Sequence, residues 1–332
     1  AARGIAECKK IFFSEYAERW LYMFKLTSVE PSSFDHYEMI YKNHIKPVLG
    51  DYQLGSIRAS DIQNLINKKS RDYSYPIVKK IRSLLAEIFQ YAYTESDIVK
   101  NPVDNVILPK KGLFKPSKDI LVLEDEEVRR LEEVAKMQTK AGHPVLTHAD
   151  LMVFIVHTGL RCGEVLALKW SDIDFSKRTV TVSKNLTRIK EREQGKSIHK
   201  RMNYVKGTKT ESGKRVVPLN SKAVEALKHL QAIYKEYGIT SSNVASSKNN
   251  TTLNNARMHR LLERMLKHAH IDKPLTIHQL RHTFATRALK AGVAISVVSK
   301  WMGHANISTT YNTYIHVLES ERAEAETLLE AM

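Results

Sequence analysis

The sequence predicts a mainly α-helical protein of two domains, with a small antiparallel β-sheet in the second domain. The length of 332 residues favours two domains over one, and it is sufficient for two hydrophobic cores. Apolar residues recur at helical spacing through roughly the first 100 residues. Two short β-branched runs with the pattern of strands lie further along the chain.

Four helices are predicted in the first domain, packed together as a bundle. Ser33 and Ser60 are candidate N-caps of the second and third helices, and the second helix is expected to end near Pro47 and Gly50. The apolar positions expected to face the core are, helix by helix, Phe12, Tyr16, Trp20 and Phe24; Tyr37, Ile40 and Tyr41; Ile62, Leu65 and Ile66; and Ile77, Ile81, Leu84, Leu85, Ile88 and Tyr91.

A basic linker is predicted after the bundle. The segment from Pro109 to Pro116 contains two prolines, a glycine and three lysines, which favours an extended chain. We therefore predict a first domain at residues 1–108, a linker at 109–118, a second domain at 119–317 and a tail helix at 318–332. The apolar residues of the tail, Leu318, Ala325, Leu328, Leu329 and Met332, fit one stripe that packs either on its own domain or on a neighbouring protomer.

The second domain is predicted to mix helices with strands. An apolar helix over Leu151–Thr158 is expected to end at Gly159, and the β-branched runs Thr179–Val182 and Arg215–Pro218 are expected to be strands. From Lys184 to Arg215 there are 11 basic and 3 acidic residues, which predicts a long basic hairpin or arm, with a disordered loop around Glu191–Lys200 as the alternative. Further helices are predicted at Ser221–Tyr237, Leu253–Ala269, His278–Lys290 and Ile295–Met302.

The composition favours an intracellular protein with a polyanionic partner. A formal net charge of +16 favours a polyanionic partner, most commonly nucleic acid, although a merely basic protein has the same property. Cys8 and Cys162 form no CxxC pair, which argues against a disulfide framework or a cysteine zinc site and predicts a reducing, cytoplasmic setting. We find no signal peptide and no apolar run long enough to span a bilayer. The first residue, Ala1, fits a processed or trimmed version of a longer chain.

Three motifs are candidates for a chemical site. They are Thr158-Gly-Leu-Arg-Cys-Gly-Glu164, His278-Gln-Leu-Arg-His282, and Gly303-His304 followed by Thr309-Thr-Tyr-Asn-Thr-Tyr314. Taken singly, each has an ordinary explanation as an exposed ion pair, a solvated helix face or a helix C-cap. The three motifs in this order within a basic chain are a much more specific signal for a chemical site than any one of them alone.

Together the motifs resemble the tyrosine recombinase (phage integrase) family over nearly the whole chain. The segments TGLRCGEVLALKWSDID, IHQLRHTFAT and MGHANISTTYNTYIHV are most similar to integrases of conjugative transposons. The resemblance implies a helical core-binding domain and a mixed α/β catalytic domain. It further implies site-specific recombination through a 3′-phosphotyrosyl intermediate and a Holliday junction. We identify no additional arm-binding domain.

The resemblance also implies partners and a setting. The substrate would be double-stranded DNA, at crossover sites in the ends of a mobile element and in its target. The protein would form a dimer on one site and a tetramer in synapsis, with an accessory excision factor as a further possible partner. No cofactor or metal is expected. The location would be the bacterial cytoplasm, in association with the nucleoid when the enzyme is active.

Family positions suggest the catalytic residues. Arg161 and Arg281 would bind the scissile phosphate, because a guanidinium gives two charge-assisted bonds and stays ionised. His278 lies three residues before Arg281 on the same helix face, and His304 would add another donor. Tyr314 would be the nucleophile, with Tyr311 as its rival. A free phenol has a pKa near 10, so it needs positive charge or a base nearby.

The remaining candidates support this set. Lys209 occupies the family's hairpin lysine position and would be the general acid, with Lys206 as its rival. Glu164 would orient an arginine or a histidine. Candidate DNA contacts are Lys110, Lys111, Lys206, Lys214 and Arg215.

Other chemistries fit less well. His278 and His282 have the spacing of a zinc protease helix, but Gln279 stands where that motif needs glutamate. The glycines near Lys214 do not have the spacing of a phosphate-binding P-loop. Two rival functions use the same family likeness: a type IB topoisomerase that acts as a monomer, and a non-catalytic DNA-binding regulator descended from a recombinase.

Overall fold

The computed structural model describes residues 10–115, 120–193, 196–207 and 214–315. The chain divides into two compact units. The first contains Ala1–Asp119 together with Arg188–Met202, and the second contains Ile120–Thr187 together with Asn203–Met332. Each unit has its own hydrophobic core.

The first unit is a helical bundle built around one long central helix. That helix, α6, buries an almost continuous apolar face that includes Ile81, Leu84, Leu85 and Ile88. Two of the other segments run from α-helix through a π-helical turn and back into α-helix. The helices are α1 (Phe13–Trp20), π turn Leu21–Lys25, α2 (Leu26–Ser28), α3 (Pro31–Ile40), π turn Tyr41–Ile45, α4 (Lys46–Leu49), 3-10 turn Leu54–Ser56, α5 (Ala59–Asp72), α6 (Tyr75–Thr94) and 3-10 turn Lys111–Leu113.

Helix starts in this unit differ from the predicted ones. Pro31, not Ser33, begins α3, because proline has a backbone angle suited to the first helical position and no N–H that needs a partner there. Helix α5 begins at Ala59, where the Asp61 carboxylate accepts the backbone N–H of Arg58 at 2.8 Å. The predicted N-caps Ser33 and Ser60 were therefore wrong, and both serines lie inside helices.

The aromatic stripe of the first helix is only half buried. Tyr16 and Trp20 lie in the core, whereas Phe12 and Phe24 are exposed. Phe12 precedes α1, and Phe24 lies in the π turn, where the wider helix changes the face that a four-residue spacing defines.

The second unit combines helices with a three-stranded antiparallel sheet in the order β1-β2-β5. Val180 of β2 pairs with Val217 of β5, and both side chains are buried. The elements are α7 (Asp125–Lys136), α8 (Asp150–Thr158), α9 (Cys162–Ala167), 3-10 turn Trp170–Asp172, β1 (Ile173–Asp174), β2 (Thr179–Val182), β3 (Lys184–Glu193), β4 (Lys196–Gly207), β5 (Arg215–Pro218), α10 (Ser221–Glu236), α11 (Asn255–His268), α12 (Ile277–Lys290) and α13 (Ile295–Met302). A last helical stretch occupies 307–315.

Strands β3 and β4 form a separate two-stranded hairpin, which we call the arm. The prediction of a hairpin between β2 and β5 is confirmed, and the alternative of a disordered loop around Glu191–Lys200 is wrong for the residues described. Helix α7 and the short strand β1 had not been predicted. The predicted fold class, mainly helical with a small antiparallel sheet in the second domain, is confirmed.

Candidate active site

The connection between α8 and α9 presents Arg161. Gly159 ends α8 with a positive φ of 66°, and a Cβ at this position would lie 2.4 Å from the ring of Phe284, so only glycine fits. Arg161 then caps α9. Its backbone N–H donates to Oε2 of Glu164 at 2.8 Å, and its Nη1 donates to Oε1 at 2.9 Å. Its Nη2 donates to the carbonyl of Gly303 at 3.2 Å, and the Arg161 side chain as a whole remains 38% exposed.

Arg281, on α12, is 1% exposed and is held by main-chain oxygens. Its Nη1 donates to the carbonyl of Gly159 at 2.7 Å, and its Nη2 donates to the carbonyl of Met302. Its Nε has no hydrogen-bond partner among the described residues. Burial and the neighbouring charge of Arg161 lower the pKa of the guanidinium, which nevertheless stays cationic in proteins.

His304 connects Arg281 to the last helical stretch. Because a guanidinium can only donate, the 3.0 Å contact from Arg281 Nη2 makes Nε2 of His304 the acceptor. Nδ1 of His304 then carries the proton and donates to Oγ1 of Thr310 at 2.7 Å. Burial, together with the charges of Arg281 and Arg161, lowers the pKa of His304 to about 4, so the ring is neutral near pH 7.

His278 shares a cavity with both arginines. The cavity has a volume of about 210 Å³, and burial followed by the charges of Arg281 and Arg161 lowers the pKa of His278. Two residues of α11, Asn255 and His259, also line this cavity. The motifs do not point to these two residues, because nothing in the sequence of α11 indicates which of its exposed residues faces the cavity.

Glu164 lies under the arginines as a buried anion. It accepts two hydrogen bonds from Arg215, at 2.9 Å from Nη1 and 2.8 Å from Nη2, in addition to those from Arg161. Burial alone would raise the pKa of Glu164, but the hydrogen bonds and charges of Arg215 and Arg161 outweigh it and lower the pKa. Glu164 therefore remains ionised and links the two arginines.

Arg215 was predicted as a DNA contact, and the structure corrects this prediction. Both terminal nitrogens are engaged by Glu164, and Nε donates to the carbonyl of Trp301 at 2.6 Å. The guanidinium is buried beneath Gly303, where a Cβ would lie 2.9 Å from Nη1. The bonds to Glu164 and Trp301 use three of the five N–H groups of Arg215, and its side chain is only 7% exposed, so it supports the site from below.

Tyr314 is completely buried. Its ring packs with Ala285, Leu289, Val298 and Met302, and its hydroxyl lies 2.6 Å from Nδ1 of His282. Burial raises the pKa of Tyr314 well above its ordinary value, although the charge of Arg281 opposes the shift. The rival Tyr311 is 48% exposed.

His282 is the hydrogen-bond partner of Tyr314, a role that the motifs did not predict. The sequence drew attention to it only as half of an unlikely zinc motif. Its ring packs edge to face against that of His278, with 4.7 Å between the ring centres. Burial, and then the influence of His278 and Arg281, lowers the pKa of His282 to about 4. The i, i+4 spacing after His278 was the available signal.

The predicted lysines are less completely described. Lys209, Leu318 and the rest of the tail lie outside the described residues, as does the side chain of Lys111. Lys206 lies near the end of β4 and is partly buried, and Lys110 and Lys214 are exposed. Within the described part of the chain, no cluster of three or more metal-ligating side chains occurs. Among the same residues, no helix is long and apolar enough to cross a membrane.

Comparison with known proteins identifies the chain's relatives. Residues 121–321 match the phage integrase family, and residues 12–70 match the N-terminal SAM-like domain of phage integrases. The chain is 30% identical to the transposase from transposon Tn916 of Enterococcus faecalis, over 85% of this chain and 69% of that protein. It is 29% identical to a XerC-like tyrosine recombinase of Caldanaerobacter subterraneus, over 93% of this chain and 80% of that protein.

Solved structures share the fold. The Tn1549 transposon integrase in complex with transposon right end DNA aligns with a TM-score of 0.71 at 24% identity, over 95% of this chain and 99% of that one. A lambda integrase dimer bound to a core site aligns with a TM-score of 0.67 at 19% identity, over 91% and 77%. The family match covers more than half of the chain and confirms the resemblance inferred from the motifs: the chain belongs to the phage integrase family and is a tyrosine-type site-specific recombinase, an enzyme that cleaves and rejoins DNA.

Proposed function

We propose that this recombinase moves a mobile element by attacking DNA with Tyr314 at the site formed by Arg161, His278, Arg281 and His304. The observation that carries the proposal is the convergence of three separate motifs on one place. Arg161, His278 and Arg281 line one cavity, and His304 is bonded to Arg281. The two arginines of this group are cationic donors, which suits a phosphodiester whose non-bridging oxygens gain negative charge during attack, whereas both ring nitrogens of His304 are already hydrogen-bonded.

The two arginines would bind the phosphate from different environments. The Arg161 side chain is partly exposed, and Arg281 has a buried Nε with no hydrogen-bond partner among the described residues. Glu164 and Arg215 hold Arg161 in a fixed direction, which lowers the reorganisation needed when the phosphate arrives. Loss of one preorganised donor of this kind typically costs about 3–4 kcal/mol in the transition state.

The cleavage step requires one bond to form, one bond to break and two protons to move. The Tyr314 oxygen forms a bond to phosphorus while the bond from phosphorus to the 5′-oxygen breaks, which leaves a 3′-phosphotyrosyl link. The phenolic proton passes to a basic group, and the departing 5′-oxygen takes a proton from Lys209 or Lys206. The reverse reaction, with the 5′-hydroxyl of a second duplex, joins exchanged strands. The energy of the broken bond stays in the phosphotyrosine, so no nucleotide is consumed.

Tyr314 must leave its buried position before it can attack. A phenol with no exposed atoms cannot contact a DNA backbone, so we assign the described arrangement to a resting enzyme. Movement of the 307–315 helical stretch would break the bond to His282 and bring the phenol to the cavity. Near Arg281 the phenolate would be stabilised by a positive charge.

The relatives suggest the biological substrate and the assembly. The Tn916 protein is a transposase of a transposon, and the structures of lambda integrase include a dimer on a core site and a tetramer on a Holliday junction. We infer that the present protein acts on double-stranded DNA at the ends of an element and in its target, as a dimer on each site and a tetramer in synapsis. The first domain, residues 1–108, would bind core DNA, in a bacterial cytoplasm.

The direct test is to sequence DNA ends that become covalently attached to the protein during cleavage and to map the attached peptide. The proposal expects a 3′ attachment at defined sites and a peptide containing Tyr314. A synthetic Holliday junction separates the rival topoisomerase, because only a recombinase exchanges strands between duplexes. Random cleavage sites or a 5′ attachment would contradict the proposal.

A further inference from the structure

A buried carboxylate in the first unit binds the arm. Glu38, on α3, is 1% exposed. It accepts hydrogen bonds from Nζ of Lys42 at 2.8 Å and from Nζ of Lys190 at 2.7 Å, and Nη2 of Arg192 lies 3.3 Å away. The hydroxyl of Tyr22 also donates to it. Two of these four donors, Lys190 and Arg192, come from strand β3 of the arm.

Asp35, one helical turn before Glu38, holds the same strand by its backbone. Its Oδ2 accepts the backbone N–H of Lys190 at 2.8 Å, and its Oδ1 accepts from Nη2 of Arg192. The guanidinium of Arg192 also lies 4.6 Å from the centre of the Phe34 ring. A backbone bond fixes the register of the strand as well as the direction of its side chains.

This cluster differs from an ordinary surface ion pair. Burial opposes the charge of Glu38, yet hydrogen bonds from Lys190, Lys42 and Tyr22 lower its pKa to about 2. A buried carboxylate of this kind is stable only while its partners remain in place. Within the first unit, strand β3 of the arm therefore supplies two of the donors that bind Glu38, and α3 fixes that strand in return.

The anchored strand leads to the proposed general acid. Strand β4 pairs with β3 and returns along the arm to Lys206 and Gly207, and Lys209 follows two residues later in the sequence. A general acid acts only within hydrogen-bond reach of the leaving oxygen, so its carrier must be held in place. We propose that Asp35 and Glu38 are positioning residues for DNA cleavage, which anchor the arm so that its lysine reaches the leaving 5′-oxygen. The inference rests on the proposed general-acid role of that lysine.

The test compares two leaving groups. Suicide substrates carry either an ordinary phosphodiester or a 5′-phosphorothiolate, whose sulfur departs without a proton and makes the general acid dispensable. The variants are Glu38→Gln, on α3, and Lys190→Met, on strand β3 of the arm. We expect each to slow covalent attachment to the ordinary substrate about tenfold, because small misplacement of a catalytic group costs one to two orders of magnitude. Attachment to the phosphorothiolate should stay within about twofold of the unchanged protein.

The matched control is Lys200→Met. It removes a cation from the same arm, but Lys200 pairs with Glu191 of the arm, 3.4 Å away, and not with Asp35 or Glu38. We expect both substrates to react at nearly the unchanged rate. If Glu38→Gln does not fold, Lys190→Met carries the test, because Tyr22 and Lys42 still satisfy Glu38 in that variant.

The outcomes separate this inference from the proposed function. Equal slowing on both substrates, or no slowing on either, would overturn the positioning role of Asp35 and Glu38. Lys209→Ala and Lys206→Ala serve as reference variants. If neither is rescued by the phosphorothiolate, the general-acid assignment itself fails and the inference falls with it. If the phosphorothiolate substrate restores the rate of a lysine variant but not that of Lys190→Met, the positioning inference is overturned while the general-acid assignment stands.

Discussion

The hydroxyl of Tyr314 lies 2.6 Å from Nδ1 of His282, and the tyrosine has no exposed surface. This one contact joins the proposed nucleophile to α12, the helix that also carries His278 and Arg281. His282 lies one helical turn after His278 on α12, and His278 and Arg281 line a cavity together with Arg161. The proposed nucleophile is therefore held beside its proposed site of action, by a hydrogen bond that involves neither Arg161 nor Arg281.

We expect Tyr314→Phe to abolish covalent attachment to DNA while leaving DNA affinity nearly unchanged, because the substitution removes one oxygen and no charge. Trapping on a nicked suicide substrate measures the attachment, and a gel-shift assay measures the affinity. Tyr311→Phe is the matched control and should still form the adduct. The reverse pattern would transfer the nucleophile's role to Tyr311.

We expect His282→Leu to speed attachment at a single site by about two- to tenfold, the factor that corresponds to a hydrogen bond worth about 0.5–1.5 kcal/mol. Without His282 the buried hydroxyl has lost its partner, so the tyrosine leaves its pocket more readily. Single-turnover trapping gives the rate. Slower attachment would instead show that His282 helps to remove the phenolic proton.

Substitution of Arg161 or Arg281 by lysine should reduce the rate of cleavage about 100- to 1000-fold, the usual effect of removing one preorganised donor. A lysine ammonium keeps the charge but cannot reproduce the planar set of N–H groups. The measurement is the single-turnover rate, with affinity checked separately. Near-normal rates in both variants would contradict the proposed site.

Arg215→Met should lower the free energy of unfolding by about 3–5 kcal/mol, because it leaves Glu164 as a buried charge without its main partner. Urea denaturation measures this change. Lys214→Met is the control: its side chain is exposed, so we expect little loss of stability and a weaker affinity for DNA. A loss of affinity without loss of stability at Arg215 would restore the original prediction of a DNA contact.

The sequence predicts elements whose residues act locally. Helix α8, strand β2 and strand β5 were predicted at or near their observed bounds, because an apolar run ended by Gly159 and two β-branched segments specify their own conformation. The N-caps at Ser33 and Ser60 were wrong because Pro31 and Asp61 compete for the same role. Both are visible in the sequence, but their relative strength depends on the geometry of the helix start.

The candidate site was predictable in its chemistry but not in its contacts. Family order suggests Arg161, His278, Arg281, His304 and Tyr314, and the first three line one cavity. By contrast, Arg215 lies in a basic segment and gives no sign that its partner is Glu164, 51 residues earlier. Such a pairing arises from tertiary packing, as does the burial of Tyr314 against α12 and α13.

Arg281 also has a role in holding the domain together. The two carbonyls that it binds, those of Gly159 and Met302, stand at the C-terminal ends of α8 and α13, where helix dipoles concentrate partial negative charge. A single cation on α12 thus caps two other helices. Random mutation at this position would therefore tend to produce an unstable chain that proteases remove, rather than an inert protein that still occupies recombination sites. The proposed phosphate-binding role of Arg281 and the persistence of the protein in the cell are consequently coupled through one side chain.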